Sequence, residues 1–324
     1  MLAMEHKYPG KGGLMRIVKI ILAALAVIII GVVGFVYLAP ENAGGLLLKV
    51  QRAQAGLDRK EIQLADGLRY VYLEGGKGDP LMLLHGFGAN KDNFAHVAGY
   101  LTTRYRVIIP DHIGFGESAH PVDADYSPSA QAKRLRAFAH ALGITSLHIG
   151  GHSMGGHIAM TYAALYPEEV KSLWLLDPAG VWSAPKSVAQ TNMDATGHNG
   201  LLIKKTDDLV KLFQFAMSSP PYIPRPILNV LARQRIKNYT LEQRIFNEIM
   251  TDSVEQRVTG LATPTLIVWG SEDRIINVEA SKILNKLMPR SQVIVMQHVG
   301  HLPMLEAPKQ SAQDYLKFRA SLDR

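Results

Sequence analysis

The chain contains no cysteine, so neither a disulfide framework nor a thiolate-bound metal can hold it together. Its twelve histidines include no H-E-x-x-H pair, the spacing that sets two imidazoles on one helical face around zinc. The glycine clusters "EGGKG" and "HIGFGES" lack the third glycine and the following helix of a dinucleotide or phosphate cradle. No metal and no cofactor are therefore expected. Charge is also sparse. Asp, Glu, Lys and Arg make up 19% of the chain, below the ~25% of ordinary soluble domains, whereas 47% is hydrophobic. Some of that apolar content need not be core.

Much of it sits near the start. From Ile20 to Ala39 the sequence "IILAALAVIIIGVVGFVYLA" has no charged residue. At about 1.5 Å per residue, a helix of that length crosses a hydrocarbon layer of roughly 30 Å. A cleaved signal peptide would have a shorter apolar run and small residues before the cut, but Tyr37 and Pro40 flank that position. The reading is an uncleaved transmembrane anchor at 20–39. Lys7, Lys11, Arg16 and Lys19 precede it, so residues 1–19 are expected in the cytoplasm and the body of the chain on the extracytoplasmic, periplasmic side.

Residues 1–60 carry 8 Lys/Arg against 3 Asp/Glu, residues 179–260 carry 10 against 7, and the remainder carries 17 against 18. The net charge of +7 is thus confined to the anchor region and one internal segment. Nucleic-acid binding would need a basic stripe on the folded body, so no nucleic-acid partner is expected. A bilayer carrying anionic lipid is the simpler partner. After the anchor, "LLLKVQRAQAGL" places Leu46, Val50, Ala53 and Leu57 at helical spacing, as either an interfacial helix or a linker helix within residues 40–59.

From residue 60 the pattern becomes short apolar runs separated by helical stretches. "KEIQLADGLRYVYLEGG" reads as a hairpin around Asp66-Gly67. "PLMLL", "YRVIIP", "SLHIGG", "VKSLWLL", "TPTLIVWG" and "SQVIVM" then suit strands buried on both faces, with helices over about 92–101, 129–142, 154–166, 279–288 and 308–322. That order predicts an α/β doubly wound, mostly parallel sheet. It is interrupted once, so residues 60–178 and 263–324 are assigned to the core and 179–262 to an inserted helical cap.

Gly151-His152-Ser153-Met154-Gly155 fits G-x-S-x-G between a strand and a helix, where a sharp turn lifts a serine hydroxyl clear of the sheet. A hydroxyl needs a base to become a nucleophile. His301 follows the last strand and Asp273 the one before, giving the chain order Ser153, Asp273, His301 at strand ends that converge in an open sheet. Asp177 is an alternative acid, and Glu272 is expected to point elsewhere. Oxyanion donors are expected from the backbone N–H groups of Phe87, in "HGFG", and Met154. His85 and Asp111 are read as structural, as are His152 and His157.

With "HGFG", "DHIGFGES", "GHSMGG", "WGSED" and "GH" in this order over about residues 60–322, the sequence resembles serine hydrolases of the α/β-hydrolase superfamily. The anchor, "GHSMGG" and "GHLPMLEAP" make it similar to membrane-anchored monoacylglycerol lipases and bacterial lysophospholipase and phospholipase relatives. The resemblance implies a carboxylester hydrolase that releases fatty acids from lipid or amphiphilic esters through an acyl-serine. Leu209, Leu212, Phe213, Phe215 and Met217 are candidates for an acyl pocket. Related carbon–carbon bond hydrolases often carry tryptophan after the catalytic histidine, where this chain has Leu302. General carboxylesterases of the same fold and a noncatalytic lipid receptor are the other readings. The span holds Gly31 and Gly34 but no G-x-x-x-G, so a homodimer through residues 20–57 has weak sequence support.

Overall fold

The computed structural model describes residues 11–322; Lys7 and the rest of the first ten residues of the expected cytoplasmic segment lie outside them. Eight strands form one sheet: β1 (Leu57–Gln63), β2 (Arg69–Gly75), β3 (Asp79–Leu84), β4 (Tyr105–Pro110), β5 (Leu147–His152), β6 (Val170–Leu176), β7 (Thr265–Gly270) and β8 (Ser291–Met296). Their order is β1-β2-β4-β3-β5-β6-β7-β8, with β1 and β2 antiparallel to their neighbours and the rest parallel. The doubly wound sheet expected from the apolar runs is present. The hairpin begins at Leu57, earlier than expected, and closes through Leu64 and Leu68, 2.9 Å from N to O. β1 is an edge strand whose Asp58, Arg59, Lys60 and Glu61 are exposed, a charge pattern that discourages pairing with another chain.

The helices, in chain order, are α1 (Lys11–Leu38), α2 (Pro40–Gln54), α3 (Ala95–Ala98), α4 (Pro128–Ala141), α5 (Met154–Leu165), α6 (Val188–Thr196), α7 (Thr206–Ala216), α8 (Arg225–Lys237), α9 (Tyr239–Met250), α10 (Glu255–Val258), α11 (Ala280–Leu287), α12 (Pro303–Glu306) and α13 (Pro308–Leu322). Two apolar clusters flank the sheet. One joins Leu135, Phe138, Ile149, Ile158 and Ile267; the other joins Leu83, Val107, Trp174, Val268 and Tyr315. The stretch at 92–101 forms only a 3-10 turn followed by α3, shorter than the helix expected there.

Helix α1 is apolar and exposed from Gly13 to Leu38, 26 residues and long enough to cross a bilayer. Pro40 supplies no N–H and opens α2 at its first position, so the chain breaks at Ala39 and starts a new helix. The expected apolar stripe is corrected in part: Leu57 belongs to β1, and Leu46 and Val50 are exposed, whereas Ala43 is buried and Gly44 lies against Ile227 of α8. Arg52 clamps Asp92 through two hydrogen bonds of 2.7 Å, and Glu41 pairs with Arg233 of α8. Thus α2 touches both the core and the helical insertion between β6 and β7.

That insertion contains α6 to α10 and no strand. The proline-rich "SSPPYIPRPI" joins α7 to α8: residues 218–224 carry no helix, and α8 starts at Arg225 with Pro226 in its first turn, which requires no intrahelical donor. Gly150, the extra glycine just before the G-x-S-x-G turn, is set by packing: a Cβ there would stand 2.6 Å from Leu83 Cδ2 and 3.2 Å from Trp174 Cε3. Trp174 is fully buried and stacked on Tyr315, so it cannot retreat. Gly150→Ala is predicted to destabilise the fold by about 1–3 kcal/mol through overpacking, seen as a melting temperature several degrees lower; an unchanged melting temperature would show that this wall gives way.

Candidate active site

Ser153 occupies the turn between β5 and α5 with φ 52° and ψ −119°, a left-handed conformation that a non-glycine residue adopts only when its surroundings impose it. The constraint is a set of backbone bonds. Ser153 N–H donates to Leu176 O at 3.0 Å, and Ser153 O accepts from His157 N at 3.1 Å and from Ala179 N at 3.0 Å. A Cβ on Gly151 would run into the Gly155 carbonyl, and one on Gly155 into the Leu84 carbonyl. The glycines therefore let β5, α5 and β3 close around the serine.

The end of β6 continues the lock. Asp177 has φ 44°, its N–H donates to Val268 O at 2.9 Å, and its Oδ1 accepts from Gly270 N at 2.9 Å. Beyond β7, Asp273 Oδ1 accepts from Ile275 N at 2.8 Å and Ile276 N at 3.0 Å, which orients its other oxygen. That oxygen, Oδ2, lies 2.8 Å from His301 Nδ1, with the Asp273 carboxyl fully buried. The bond fixes Nδ1 as the protonated nitrogen and leaves Nε2 free to accept a proton. Asp177, Asp273 and His301 each bring one polar atom within 4.8 Å of the others. Burial and the charge of Asp273 push the Asp177 carboxyl well above the usual range, which favours its protonated form.

His301 is held from three sides. Its N–H donates to Ala216 O, the last residue of α7, at 2.7 Å, and its carbonyl lies 2.7 Å from His152 Nε2, which donates to it. Burial, with the neighbouring His301, keeps His152 well below the usual imidazole range and hence neutral. Glu306 accepts from Gly300 N (3.1 Å), Leu302 N (3.2 Å) and Ser218 N (2.7 Å), pinning the histidine loop to the end of α7. The sequence reading did not single out Glu306; its only local signal is the carboxylate five residues after the histidine in "GHLPMLE". Glu272 points away, as expected, to Ser218 Oγ at 2.6 Å and His298 Nδ1 at 3.3 Å.

Across the serine, the "HGFG" loop is tied down by its own polar groups. His85 Nδ1 donates to Gly86 O at 2.8 Å and Nε2 accepts from His112 N at 3.0 Å, and burial lowers the ring to about 4. Asp111 is buried and accepts from Lys91 N (2.7 Å), Lys91 Nζ (2.8 Å) and Glu117 N (2.8 Å), the loop-organising arrangement expected of it. Phe87, at the tip, packs edge-on against Phe115 and Phe246, each with ring centroids 5.6 Å away. Met154 opens α5, so its N–H has no intrahelical acceptor. His157 is buried one turn further along α5 and bonds Asp252 at 2.8 Å, tying the core to the segment just beyond α9.

Two cavities meet this site. The larger, about 470 Å³, has Phe87, Ser153 and Met154 on its wall with Trp182, Leu212, Phe215, Phe246, Ile249 and Met250. The smaller, about 240 Å³, has Ser153 and His301 on its wall with Leu209, Leu212, Phe213 and Met217. Every residue expected in an acyl pocket thus lines one cavity or the other. The larger falls within the roughly 300–1,000 Å³ of ligand pockets, and the smaller lies a little below it.

Residues 79–308 match the family model for the alpha/beta hydrolase fold. Lipase 1 of Psychrobacter immobilis is 45% identical over 290 residues, covering 87% of this chain and 90% of that one. A monoacylglycerol lipase of Mus musculus is 30% identical over 254 residues, covering 75% and 76%. The crystal structure of a bacterial membrane phospholipase A superimposes with a TM-score of 0.85 at 36% identity, covering 94% of this chain and 99% of that one. The strained serine turn, the histidine and carboxylate at later strand ends and these similarities lead to one conclusion: the chain belongs to the α/β hydrolase fold family.

Proposed function

We propose that the protein is a membrane-anchored carboxylester hydrolase acting on glycerolipids, with Ser153, His301 and Asp273 as nucleophile, base and orienting acid. The observation that carries this reading is the 2.8 Å bond from His301 Nδ1 to Asp273, set behind a serine that a strained turn presents to two cavities. In the first step Ser153 Oγ attacks the ester carbonyl while His301 Nε2 takes its proton, then returns it to the departing alcohol. In the second, His301 takes a proton from water as its oxygen attacks the acyl-serine carbonyl, then returns that proton to Ser153 Oγ as the bond to the acyl group breaks and the fatty acid leaves. Asp273 stabilises the imidazolium in both steps. The backbone N–H groups of Phe87 and Met154 face the negative oxygen, where the positive end of α5 adds to their effect.

The insertion at 179–262 serves as the cap, and its apolar cavity walls hold the acyl chain. The lipase, monoacylglycerol lipase and phospholipase A relatives support a lipid ester as substrate. Helix α1 would span the bilayer with its N-terminus in the cytoplasm, leaving the body on the periplasmic side. The exposed Leu46, Leu47 and Val50 of α2 fit a helix lying in the interface just outside the span.

Two tests follow. Each methylene that enters the cavity contributes about 0.8 kcal/mol, roughly fourfold in kcat/KM, so fatty-acid release should rise steeply with acyl length until the cavity is full and vanish in Ser153→Ala. A flat profile would contradict a lipid-chain pocket. Asp273→Asn should reduce kcat by about ten-thousand-fold, the order expected when the histidine loses its orienting anion. Asp177→Asn should retain most activity, because a neutral amide reproduces the protonated acid; the reverse ranking would make Asp177 the catalytic acid.

A further inference from the structure

Helix α7 belongs to the insertion, yet its hydrogen bonds to the body of the protein lie at one end only. It packs with α8 in an apolar cluster of Ile203, Leu209, Leu228 and Ala232, separate from the two that flank the sheet. Among the described residues, every hydrogen bond from the stretch 206–218 to the sheet-bearing body ends on the two segments, after β7 and after β8, that carry Asp273 and His301. Ala216 O accepts from His301 N at 2.7 Å, Ser218 N donates to Glu306 Oε2 at 2.7 Å, and Ser218 Oγ donates to Glu272 Oε2 at 2.6 Å. The Phe215 ring adds a cation contact, its centroid 5.9 Å from the guanidinium of Arg274, the neighbour of Asp273. The seam is tight: a Cβ on Gly300 would stand 2.5 Å from Ala216 O and 2.8 Å from Ser218 N.

The same helix borders both cavities. Leu212 and Phe215 line the larger one, Leu209, Leu212 and Phe213 line the smaller, and Leu212, Phe213 and Phe215 are half-buried. An acyl chain in either cavity makes dispersion contacts with that face and narrows the positions α7 can take. Through Ala216 and Ser218 the restriction passes to His301, whose Nε2 must serve first the serine hydroxyl and then the attacking water. A misplacement on the order of 1 Å costs about a hundredfold in rate. Ordering of this kind acts on the chemical steps, and so on kcat, whereas chain contacts that only bind act on KM.

We propose that Ser218 and Glu306 are positioning residues that couple the acyl chain to the base: a chain lying on α7 settles His301 through them, so longer chains are turned over faster as well as bound more tightly. The coupling rests on the ester-hydrolase reading and adds to it a control of the site by its own substrate. Both chemical steps use His301, so kcat carries the effect whichever step limits turnover.

The test measures kcat for p-nitrophenyl esters of two to ten acyl carbons with the purified full chain, alongside inhibition by n-alkanols of matching length, which reads chain binding without chemistry. In the wild-type protein the decanoyl ester should exceed the acetyl ester in kcat by tenfold or more. Glu306→Ala should bring that ratio to about threefold or less, and Ser218→Ala should lower it by about half, while alkanol affinity still rises with length because the cavity lining is untouched. Glu306→Gln keeps an oxygen for the Ser218 and Gly300 N–H groups and should restore most of the ratio. A wild-type ratio near one overturns the coupling without any variant, even where Glu306→Ala fails to fold. So does a ratio that survives both alanine substitutions in folded protein, or one lost together with the length dependence of alkanol binding, which would make these residues part of the pocket wall. Those results leave the hydrolase reading intact; absence of Ser153-dependent release from every ester would overturn that reading and the coupling with it.

Discussion

The close approach of backbones around Ser153 is the constraint on which the site depends. A left-handed serine costs on the order of 1–3 kcal/mol, and three backbone bonds, to Leu176, His157 and Ala179, hold it there. The same bonds register β5 against the exit of β6, and Asp177 then registers β6 against Val268 and Gly270 of β7. From β7 the chain passes to Asp273 and, through the 2.8 Å bond, to His301. Each functional group is thus positioned by main-chain geometry rather than by a flexible side chain reaching across a cleft. Preorganisation of that kind lowers the cost of aligning groups at the moment of reaction.

The other half of the site is held by charge. Lys91, buried between Asp111 and Glu117, fixes the start of the turn after "HGFG". Arg52 of α2 grips the adjacent Asp92 from outside, and Arg235 of α8 covers the Phe87 ring from the helical insertion. Because Glu41 of the same α2 also pairs with Arg233 of α8, the helix that follows the apolar segment is joined both to the turn after "HGFG" and to that insertion.

Most of the fold was legible because its signals are local. The apolar runs that became β3 to β7 are buried on both faces, and G-x-S-x-G marks a turn whose tightness is itself the reason for the glycines. The order of Asp273 and His301 could be read because a parallel sheet gathers strand ends. What escaped is nonlocal. Arg235 and Glu242 meet across the junction of two helices, a pairing that neither helix announces. Glu306 acts through three backbone N–H groups, and the upward shift of the Asp177 carboxyl follows from burial beside Asp273; neither is encoded by spacing.

The central claim is that Ser153 is a nucleophile activated by His301. The direct measurement is the intact mass of the detergent-purified protein after exposure to a long-chain alkyl fluorophosphonate, followed by peptide mapping. The account predicts one adduct per chain, located on Ser153, with labelling slowed by several orders of magnitude in His301→Ala. An adduct on another residue, or labelling of Ser153 at an unchanged rate without His301, would contradict it.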